Sequence, residues 1–359
     1  YKGLLDHMDS LFKAIGNTDP TVEQLENLKS IPDSLQRAKL ILVQYMKEGN
    51  SAAELYDDLE EAVNEVAADA QYHYNVDYNS RAIVGDNYDD VSERYYGNND
   101  VAGPDPMHGT HVAGIIAADR NNNIGIKGIA DNVKILVVRS VPDGDERDKD
   151  IGNSIRYAVD MGAKVINMSF GKGYSYNKKA VDDAMKYAEE HDVLIVHGAG
   201  NDAENADVKK VYPNKYFENG GVANNFINVG ASKWDNNVAM FSDYGKKNVD
   251  LFAPGVSIYS TVPGNKYRNL QGTSMASPMV AGVAAMIRSY FPSLTAPEVR
   301  EILIKSCTKM KGKVALPGEQ SEQDKDDQKA KMVKWKQLCV SGGIVNAYKA
   351  VELAEKKAK

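Results

Sequence analysis

Residues 271–282 read QGTSMASPMVAG, and this stretch places small residues and two serines at the expected start of an apolar helix. Small residues such as Gly272 and Ala276 let a substrate backbone or a neighbouring helix approach closely. Ser274 falls where the N-terminus of the helix directs partial positive charge at the side-chain oxygen. Two interpretations follow for Ser274: a candidate nucleophile, or an N-cap of a core helix, because serine is an ordinary capping residue.

A second chemical motif lies upstream, where residues 107–118 read MHGTHVAGIIAA. His108 and His111 have the spacing of a zinc pair, but two ligands do not make a zinc site. His108, at the expected helix start, is a candidate general base, because an imidazole takes and returns a proton near neutrality. His111 fits a hydrogen-bonded core histidine.

Alternating apolar and helical segments decide the fold class. Strands are predicted over residues 133–138, 164–169, 193–196, 226–230 and 249–252, with helices over residues 151–161 and 178–190 between them. This order predicts an α/β fold with a mostly parallel sheet and helices on both faces. Ligands bind such sheets at the carboxyl ends of the strands. Two segments low in side-chain bulk follow predicted strands there and are either groove walls or plain turns: Ser169, Phe170 and Gly171, then Gly198, Ala199, Gly200 and Asn201.

The two ends of the chain have different compositions. Residues 1–72 are rich in Leu, Ala, Glu and Lys and predict a helical hairpin as a separate subdomain, with Thr21 and Gln24 as a capping box. Residues 73–359 form the predicted main domain. Within it, residues 311–334 predict an exposed charged loop, and a final helix runs from about residue 347 to residue 358.

Composition excludes several classes of function. The 359 residues carry a formal net charge of −7, which argues against a nucleic-acid partner. The chain shows no apolar run long enough to span a bilayer. Its two cysteines, Cys307 and Cys339, fit one disulfide or two buried thiols equally well.

Six motifs occur in a fixed order, namely HGTHVAG, INMSFG, GAGN, FSDYG, DLFAPG and GTSMASPMVAG. From about residue 81 onward the chain resembles the subtilisin-like serine peptidases. The resemblance implies a subtilisin-like three-layer fold with His108 as general base, Ser274 as nucleophile and Asn201 as a side-chain donor to the oxyanion. It also implies two walls for the pocket that receives the residue before the scissile bond: Ser169, Phe170 and Gly171, and Gly198, Ala199 and Gly200.

The sequence departs from the family pattern at two places. Met279 stands where the family usually has a histidine, and no Asp-Ser/Thr-Gly tripeptide precedes His108. Asp86 follows a short apolar run and is a weak candidate for the third catalytic residue, and Asp89 and Asp90 fit no better. We expect instead that residues 1 to about 75 are a helical insertion placed after the aspartate strand, so that the aspartate lies upstream of Tyr1 and the sheet lacks one strand.

These features predict a serine endopeptidase acting on polypeptides, or a fragment of one. The alternative is an inactive subtilase-fold protein that binds peptides. An α/β-hydrolase is disfavoured because Ser274 is not in Gly-x-Ser-x-Gly. No cofactor and no metal are assigned, although calcium stays open at residues 119–123. The resemblance implies a secreted, cell-surface or periplasmic location, and the sequence leaves the oligomeric state open.

Overall fold

The computed structural model describes residues 1–142, 144, 146–318 and 330–359, without the side chains of Glu61 and Glu65. The chain divides into two compact units. Unit 1 comprises Tyr1–Ile83 and Pro142–Gly144, and unit 2 comprises Val84–Val141 and Asp145–Lys359.

Unit 1 is helical and has a hydrophobic core of its own. Its helices are α1 (Lys2–Ile15), α2 (Val22–Glu26), α3 (Asp33–Lys47) and α4 (Ala52–Ala68), followed by a π-helical turn over Asp69–His73 and by α5 (Ser80–Val84) at the division between the units. The predicted capping box forms, since Thr21 Oγ1 accepts from Gln24 N at 3.2 Å and Gln24 Oε1 accepts from Thr21 N at 2.9 Å.

The hairpin predicted for residues 1–72 is therefore part of a larger helical unit. In α1, Leu5, Met8 and Phe12 recur at helical spacing and are buried in the same cluster as Leu25 and Leu42. An amphipathic helix must bury its apolar stripe, so α1 and α2 complete a core that α3 and α4 alone leave open.

Unit 2 has the predicted α/β organisation. The strands of its main sheet are β1 (Val165–Met168), β2 (Leu194–Gly198), β3 (Phe226–Ser232), β4 (Leu251–Pro254), β7 (Thr308–Lys309) and β10 (Gly343–Ile344). The remaining strands are β5 (Ile258–Val262), β6 (Lys266–Leu270), β8 (Lys313–Ala315) and β9 (Met332–Lys334). Its helices are α6 (Met107–Ala117), α7 (Asp148–Asp160), α8 (Lys178–Glu190), α9 (Thr273–Tyr290), α10 (Ala296–Ser306) and α11 (Ala347–Ala358), with a 3₁₀ turn over Trp335–Gln337.

Within the described residues the main sheet has the order β1-β2-β3-β4-β10-β7, and it is parallel except for the β10–β7 pair. Side chains alternate across it. Leu194 and Val196 pack with the core of α9 and α10, whereas Ile195 packs with the core of α7 and α8. Both faces are covered by helices, which explains the nearly continuous apolar sequence of β2 and β3.

One predicted strand does not form. Residues 133–138 lie outside every strand, and Ile135, Leu136 and Val137 are 43%, 41% and 48% exposed. β1 is an edge strand of the described sheet, paired with β2. An apolar sequence indicates a preference for burial, but a strand also needs a neighbouring strand as its hydrogen-bonding partner. In the described part of the chain, residues 133–138 have no such partner.

The prediction of an exposed loop over residues 311–334 was wrong at its two ends. β8 and β9 pair antiparallel, and Val314 and Val333 are buried in the same cluster as Trp335. The charged centre of this segment, residues 319–329, lies outside the described residues.

The cysteines of unit 2 are both buried free thiols. Burial raises the pKa of Cys307 to about 11, which keeps this thiol protonated at neutral pH.

Across the described ranges no helix combines the length and the apolar character needed to cross a membrane.

Candidate active site

The site is organised by the start of α9. Gly272 precedes the helix with a φ of 148°, a backbone angle that favours glycine. Ser274 is the second residue of the helix, where backbone N–H groups have no partner within the helix. In the described part of the chain no acceptor takes up the N–H of Ser274, so this donor is available to a ligand.

Asn201 supplies a second donor beside it. Asn201 Oδ1 accepts from the backbone N of Thr273 at 2.8 Å and from Thr273 Oγ1 at 3.0 Å, which orients the amide so that its oxygen faces the helix start. A Cβ placed on Gly272 would lie 3.5 Å from Asn201 Nδ2 and 3.6 Å from Ser274 N. The nitrogen atoms of two N–H donors therefore border the same space beside Gly272, and stabilisation of an oxyanion requires donors grouped in this way.

Ser169, directly after β1, is bonded to the first turn of α9. Ser169 Oγ donates to the carbonyl oxygen of Ser274 at 2.8 Å and lies 3.0 Å from Ser277 Oγ. Pro278 has no N–H, so the Ser274 carbonyl lacks the donor that a helix normally supplies four residues later. The Ser169 hydroxyl takes the place of that missing donor.

The loop after β2 approaches the same helix start. Gly200 N donates to Thr273 Oγ1 at 3.2 Å, and a Cβ on Gly198 would lie 3.1 Å from the Thr273 carbonyl oxygen. Glycine at residue 198 thus permits the close approach of strand and helix. Ala199 is fully buried in the core that contains Phe252.

The other two residues of the predicted walls lie toward the opposite face of the sheet. Phe170 packs against the core of α7 and α8, and a Cβ on Gly171 would lie 3.1 Å from Val211. The structure therefore brings Ser169, Gly198 and Gly200 to the start of α9, whereas the side chains of Phe170 and Ala199 pack in hydrophobic cores.

His108 lies in the first turn of α6, which packs against α9. The residue is solvent-exposed, yet crowding of protein around the ring lowers its pKa; His111 acts in the same direction, and Asp105 opposes it. A lowered pKa keeps the imidazole neutral at pH 7, the state in which it can accept a proton. Ser274 Oγ donates to the carbonyl oxygen of Ser169 at 3.2 Å rather than to His108.

His111 is held by the β5–β6 hairpin. Its Nε2 lies 3.0 Å from the carbonyl oxygen of Arg268, and its own carbonyl accepts from Ser260 Oγ at 2.8 Å. Burial lowers the pKa of this fully buried imidazole. These contacts fit the interpretation of His111 as a core residue rather than as a ligand.

Asp86 is not placed to assist His108. Its carboxylate is buried 2.6 Å from Lys149 Nζ, which also contacts Glu93 at 3.0 Å. Asp86 follows α5 instead of a strand, because the apolar run before it forms helix and not sheet. Asp89 and Asp90 are exposed. The carboxylate that acts on the pKa of His108 is that of Asp105, which raises it.

The FSDYG motif contains an aspartate, Asp243, that carries no predicted role from the sequence. Asp243 is fully buried, and burial raises its pKa to about 6. An acidic residue inside a motif of otherwise small or apolar residues is the signal that would have indicated it.

No metal is assigned by the geometry. In the ranges that the structure describes, no three His, Cys, Asp or Glu side chains come together as metal ligands. In the loop at residues 119–123, Asp119 Oδ1 accepts from Asn121 N at 2.8 Å, which is an ordinary turn contact.

The fold and the site together define an α/β protein with a candidate nucleophilic serine between two strand-end loops. A family model described as the subtilase family matches residues 53–330, more than half of the chain. The chain therefore belongs to the subtilase family.

Individual proteins agree with this assignment. A thermophilic serine proteinase of Bacillus sp. (strain AK1) is 39% identical over 241 residues, which is 66% of this chain and 54% of that protein. Subtilisin DY of Bacillus licheniformis is 41% identical over 207 residues, covering 56% of this chain and 71% of that protein. The solved structure of the prenylagaramide maturation protease PagA covers 69% of this chain and 83% of its own, with a TM-score of 0.51 and 26% identity. The chain thus spans about half the length of the first of these relatives.

Proposed function

We propose that the chain carries the active site of a serine endopeptidase with Ser274 as nucleophile. The observation that carries the proposal is that two N–H donors, Asn201 Nδ2 and Ser274 N, border one space beside Gly272 at the start of α9. Membership of the subtilase family and relatives named as proteases support it.

In the proposed reaction, His108 removes the proton from Ser274 Oγ as that oxygen attacks the carbonyl carbon of the peptide bond. The tetrahedral oxyanion accepts hydrogen bonds from Asn201 Nδ2 and Ser274 N. His108 then gives its proton to the leaving amine, and water hydrolyses the acyl-serine by the same steps. To begin, Ser274 Oγ must turn from the Ser169 carbonyl toward His108, a rearrangement expected because catalytic hydrogen bonds are often long before substrate binds.

A third catalytic residue, an aspartate, would orient and stabilise the imidazole. We propose that it is carried by a strand that pairs with β1 at the edge that no described strand occupies. The support for this strand is the free edge of β1 together with residues 133–138, which lie outside every strand with their apolar side chains exposed. Loss of such an aspartate costs about 10⁴ in turnover.

The substrate proposed is a polypeptide in extended conformation. Such a chain would hydrogen-bond as an added strand along the segments that follow β1 and β2, which lie at the carboxyl ends of the parallel sheet beside the start of α9. We also propose that the protein works outside the cytoplasm, at the cell surface or in secreted form, as the subtilisin resemblance implies.

A second candidate function is peptide binding without catalysis. It is favoured by Ser274 Oγ being bonded to Ser169 O, and by Asp105 as the carboxylate acting on His108. The two functions share the groove but differ at the nucleophile.

A fluorophosphonate probe distinguishes them. We expect the chain to label on Ser274 and Ser274→Ala not to label, with a rate that rises when the segment encoded immediately before Tyr1 is supplied in cis. Absence of an adduct on Ser274 in both forms would leave the binding protein as the correct function. A labelling rate unchanged by the added segment would refute the missing-strand proposal alone.

A further inference from the structure

Asp243 contacts the backbone on both sides of Asn201. Its own N–H donates to the carbonyl oxygen of Gly200 at 3.0 Å. Its Oδ1 accepts from the N–H of Asp202 at 3.1 Å and of Glu204 at 2.8 Å. One residue therefore fixes the peptide groups that precede and follow Asn201.

The approach of the carboxylate is made possible by a glycine. Gly200 has a φ of 119°, and a Cβ on it would lie 2.3 Å from Asp243 Oδ2. Asp243 is fully buried, and its Oδ2 has no hydrogen-bond partner among the described residues. Burying a carboxylate with one unpaired oxygen is costly, so the contacts of Oδ1 and of the backbone N–H must offset that cost.

Residues 200–204, which hydrogen-bond to Asp243, contact the start of α9 through Asn201. Asn201 Oδ1 accepts from Thr273 N, and this bond holds the amide with its Nδ2 next to the space beside Gly272. A shift of residues 200–204 would turn Asn201 Nδ2 away from that space. Misplacement of a catalytic group by about 1 Å costs about 10² in rate.

We propose that Asp243 is a positioning residue that holds the oxyanion donor Asn201 in place. The inference rests on the proposed function, because it concerns the same active site. Asp243 itself touches neither substrate nor the reacting atoms.

The test is a double-mutant cycle on the rate of Ser274 labelling by a fluorophosphonate, and on kcat and KM for a peptide substrate. Asp243→Ala is expected to lower the labelling rate and kcat by about 10² with KM nearly unchanged. In an Asn201→Ala background the same substitution should cost less than about threefold, because the group it positions is already absent. Equal losses in both backgrounds, or no loss in either, would overturn the proposal.

Asp207 offers a matched control. Its Oδ1 also accepts from two backbone N–H groups, those of Lys247 at 3.1 Å and of Asn248 at 2.9 Å, but it does not contact residues 200–204. Asp207→Ala should leave the labelling rate within about twofold of the wild type, since loss of an exposed bond is typically small. Asp243→Asn keeps an acceptor oxygen and should retain most of the activity, whereas a loss as large as that of Asp243→Ala would contradict the positioning role.

Hydrogen exchange gives a readout independent of catalysis. Faster exchange of the Asp202 and Glu204 amides in Asp243→Ala, but not in Asp207→Ala, would show that Asp243 holds this loop, whether or not the wild type labels, so failure of the positioning role can be told apart from failure of the proposed function. Unchanged exchange would overturn it. If Asp243→Ala does not fold, Asp243→Ser, which keeps a hydroxyl too short to reach both amides, serves in the same comparisons.

Discussion

Ser274 donates its side-chain hydrogen bond to the Ser169 carbonyl at 3.2 Å, while its backbone N and Asn201 Nδ2 both border the space that a Cβ on Gly272 would occupy. In the proposed reaction the two N–H donors, Asn201 Nδ2 and Ser274 N, are in place before a substrate binds, because Thr273 N hydrogen-bonds to the oxygen of the Asn201 amide. Donors fixed in advance need no reorganisation during the reaction, which makes them effective. The hydroxyl alone has to change its partner.

The buried Asp243 carboxylate predicts a dependence of stability on pH. Its pKa of about 6 lies above the ordinary value of 3.8, so the folded state binds this proton more tightly than the unfolded state. The free energy of unfolding should therefore fall as pH rises from about 4 to about 6, by up to about 3 kcal/mol. Burial is the largest cause, and the negative charges of Asp202 and Glu204 also raise the pKa, whereas the hydrogen bonds from the backbone N–H groups of Glu204 and Asp202 lower it. Lys209 interacts with the Asp243 carboxylate through its opposite charge.

Urea unfolding of Asp243→Asn at a series of pH values checks this prediction. The variant should lose most of the fall between pH 4 and 6 while Asp207→Asn keeps it. A pH profile of Asp243→Asn that matches the wild type would show that another group is responsible.

Asp86 predicts a change in stability of a different origin. Burial by itself would lower the pKa of Lys149, but hydrogen bonds to Asp86 and Glu93 outweigh that effect and raise it. Asp86→Asn removes the negative charge that pairs with the Lys149 ammonium, whose side chain is only 2% exposed. The free energy of unfolding should therefore fall by about 3 kcal/mol. Asp89→Asn, at an exposed neighbouring position, should change it by less than about 0.5 kcal/mol in the same urea titration.

In the first turn of α9, one backbone hydrogen bond of the helix is missing. Pro278 withholds an N–H from the Ser274 carbonyl, and Ser169 Oγ donates to it from the end of β1. The first turn of the helix is thereby tied to the sheet through a side chain. A helix whose first turn bonded only to itself would have no such link to the strand end.

Ser169→Ala therefore has a predicted cost that depends on residue 278. Alone it leaves the Ser274 carbonyl without a donor and should lower the free energy of unfolding by about 1–3 kcal/mol. Combined with Pro278→Ala, which restores the backbone N–H, the loss caused by Ser169→Ala should be smaller than in the parent chain. Thermal or urea unfolding of the four proteins of the cycle measures this coupling, and strict additivity would contradict it.

The whole molecule consists of two units, each with its own core. In the described part of unit 2 the main sheet ends at β1, and the apolar stretch with Ile135, Leu136 and Val137 is exposed. Unpaired strand edges and exposed apolar rows favour association between chains. The missing-strand proposal and a tendency to self-associate thus have the same structural cause.

Replacing Ile135 and Val137 together by lysine should reduce self-association of the chain, measured by light scattering after size exclusion. Ile124→Lys is the control, because Ile124 is exposed at 64% but lies outside this stretch. If the control reduced association equally, the effect would be one of added charge rather than of the exposed stretch.

Much of this protein could be predicted from its sequence. The order of motifs indicated the subtilase family, and the apolar segments gave the α/β class, β1 to β4 and the helices between them to within a few residues. These features are local, since a pattern of apolar residues and turn formers depends on near neighbours in the chain.

Other features could not be read from local sequence. Among the described residues, the apolar stretch 133–138 pairs with no strand, Asp86 is bound to Lys149, and β8 and β9 pair although a charged segment separates them in sequence. Each depends on which distant segment is available as a partner. A local pattern records the preference for burial and not the identity of the partner.

The sequence by itself determined the family and the candidate residues His108, Ser274 and Asn201, because their chemistry is carried by residue type and motif. The grouping of the two N–H donors is a property of the tertiary structure, since contacts between the loop after β2 and the start of α9 place Asn201 Nδ2 and Ser274 N around one space beside Gly272. Only the tertiary structure revealed that Asp243 grips the loop around Asn201. The physical reason is that hydrogen bonds and burial act between residues adjacent in space, and the fold alone establishes that adjacency.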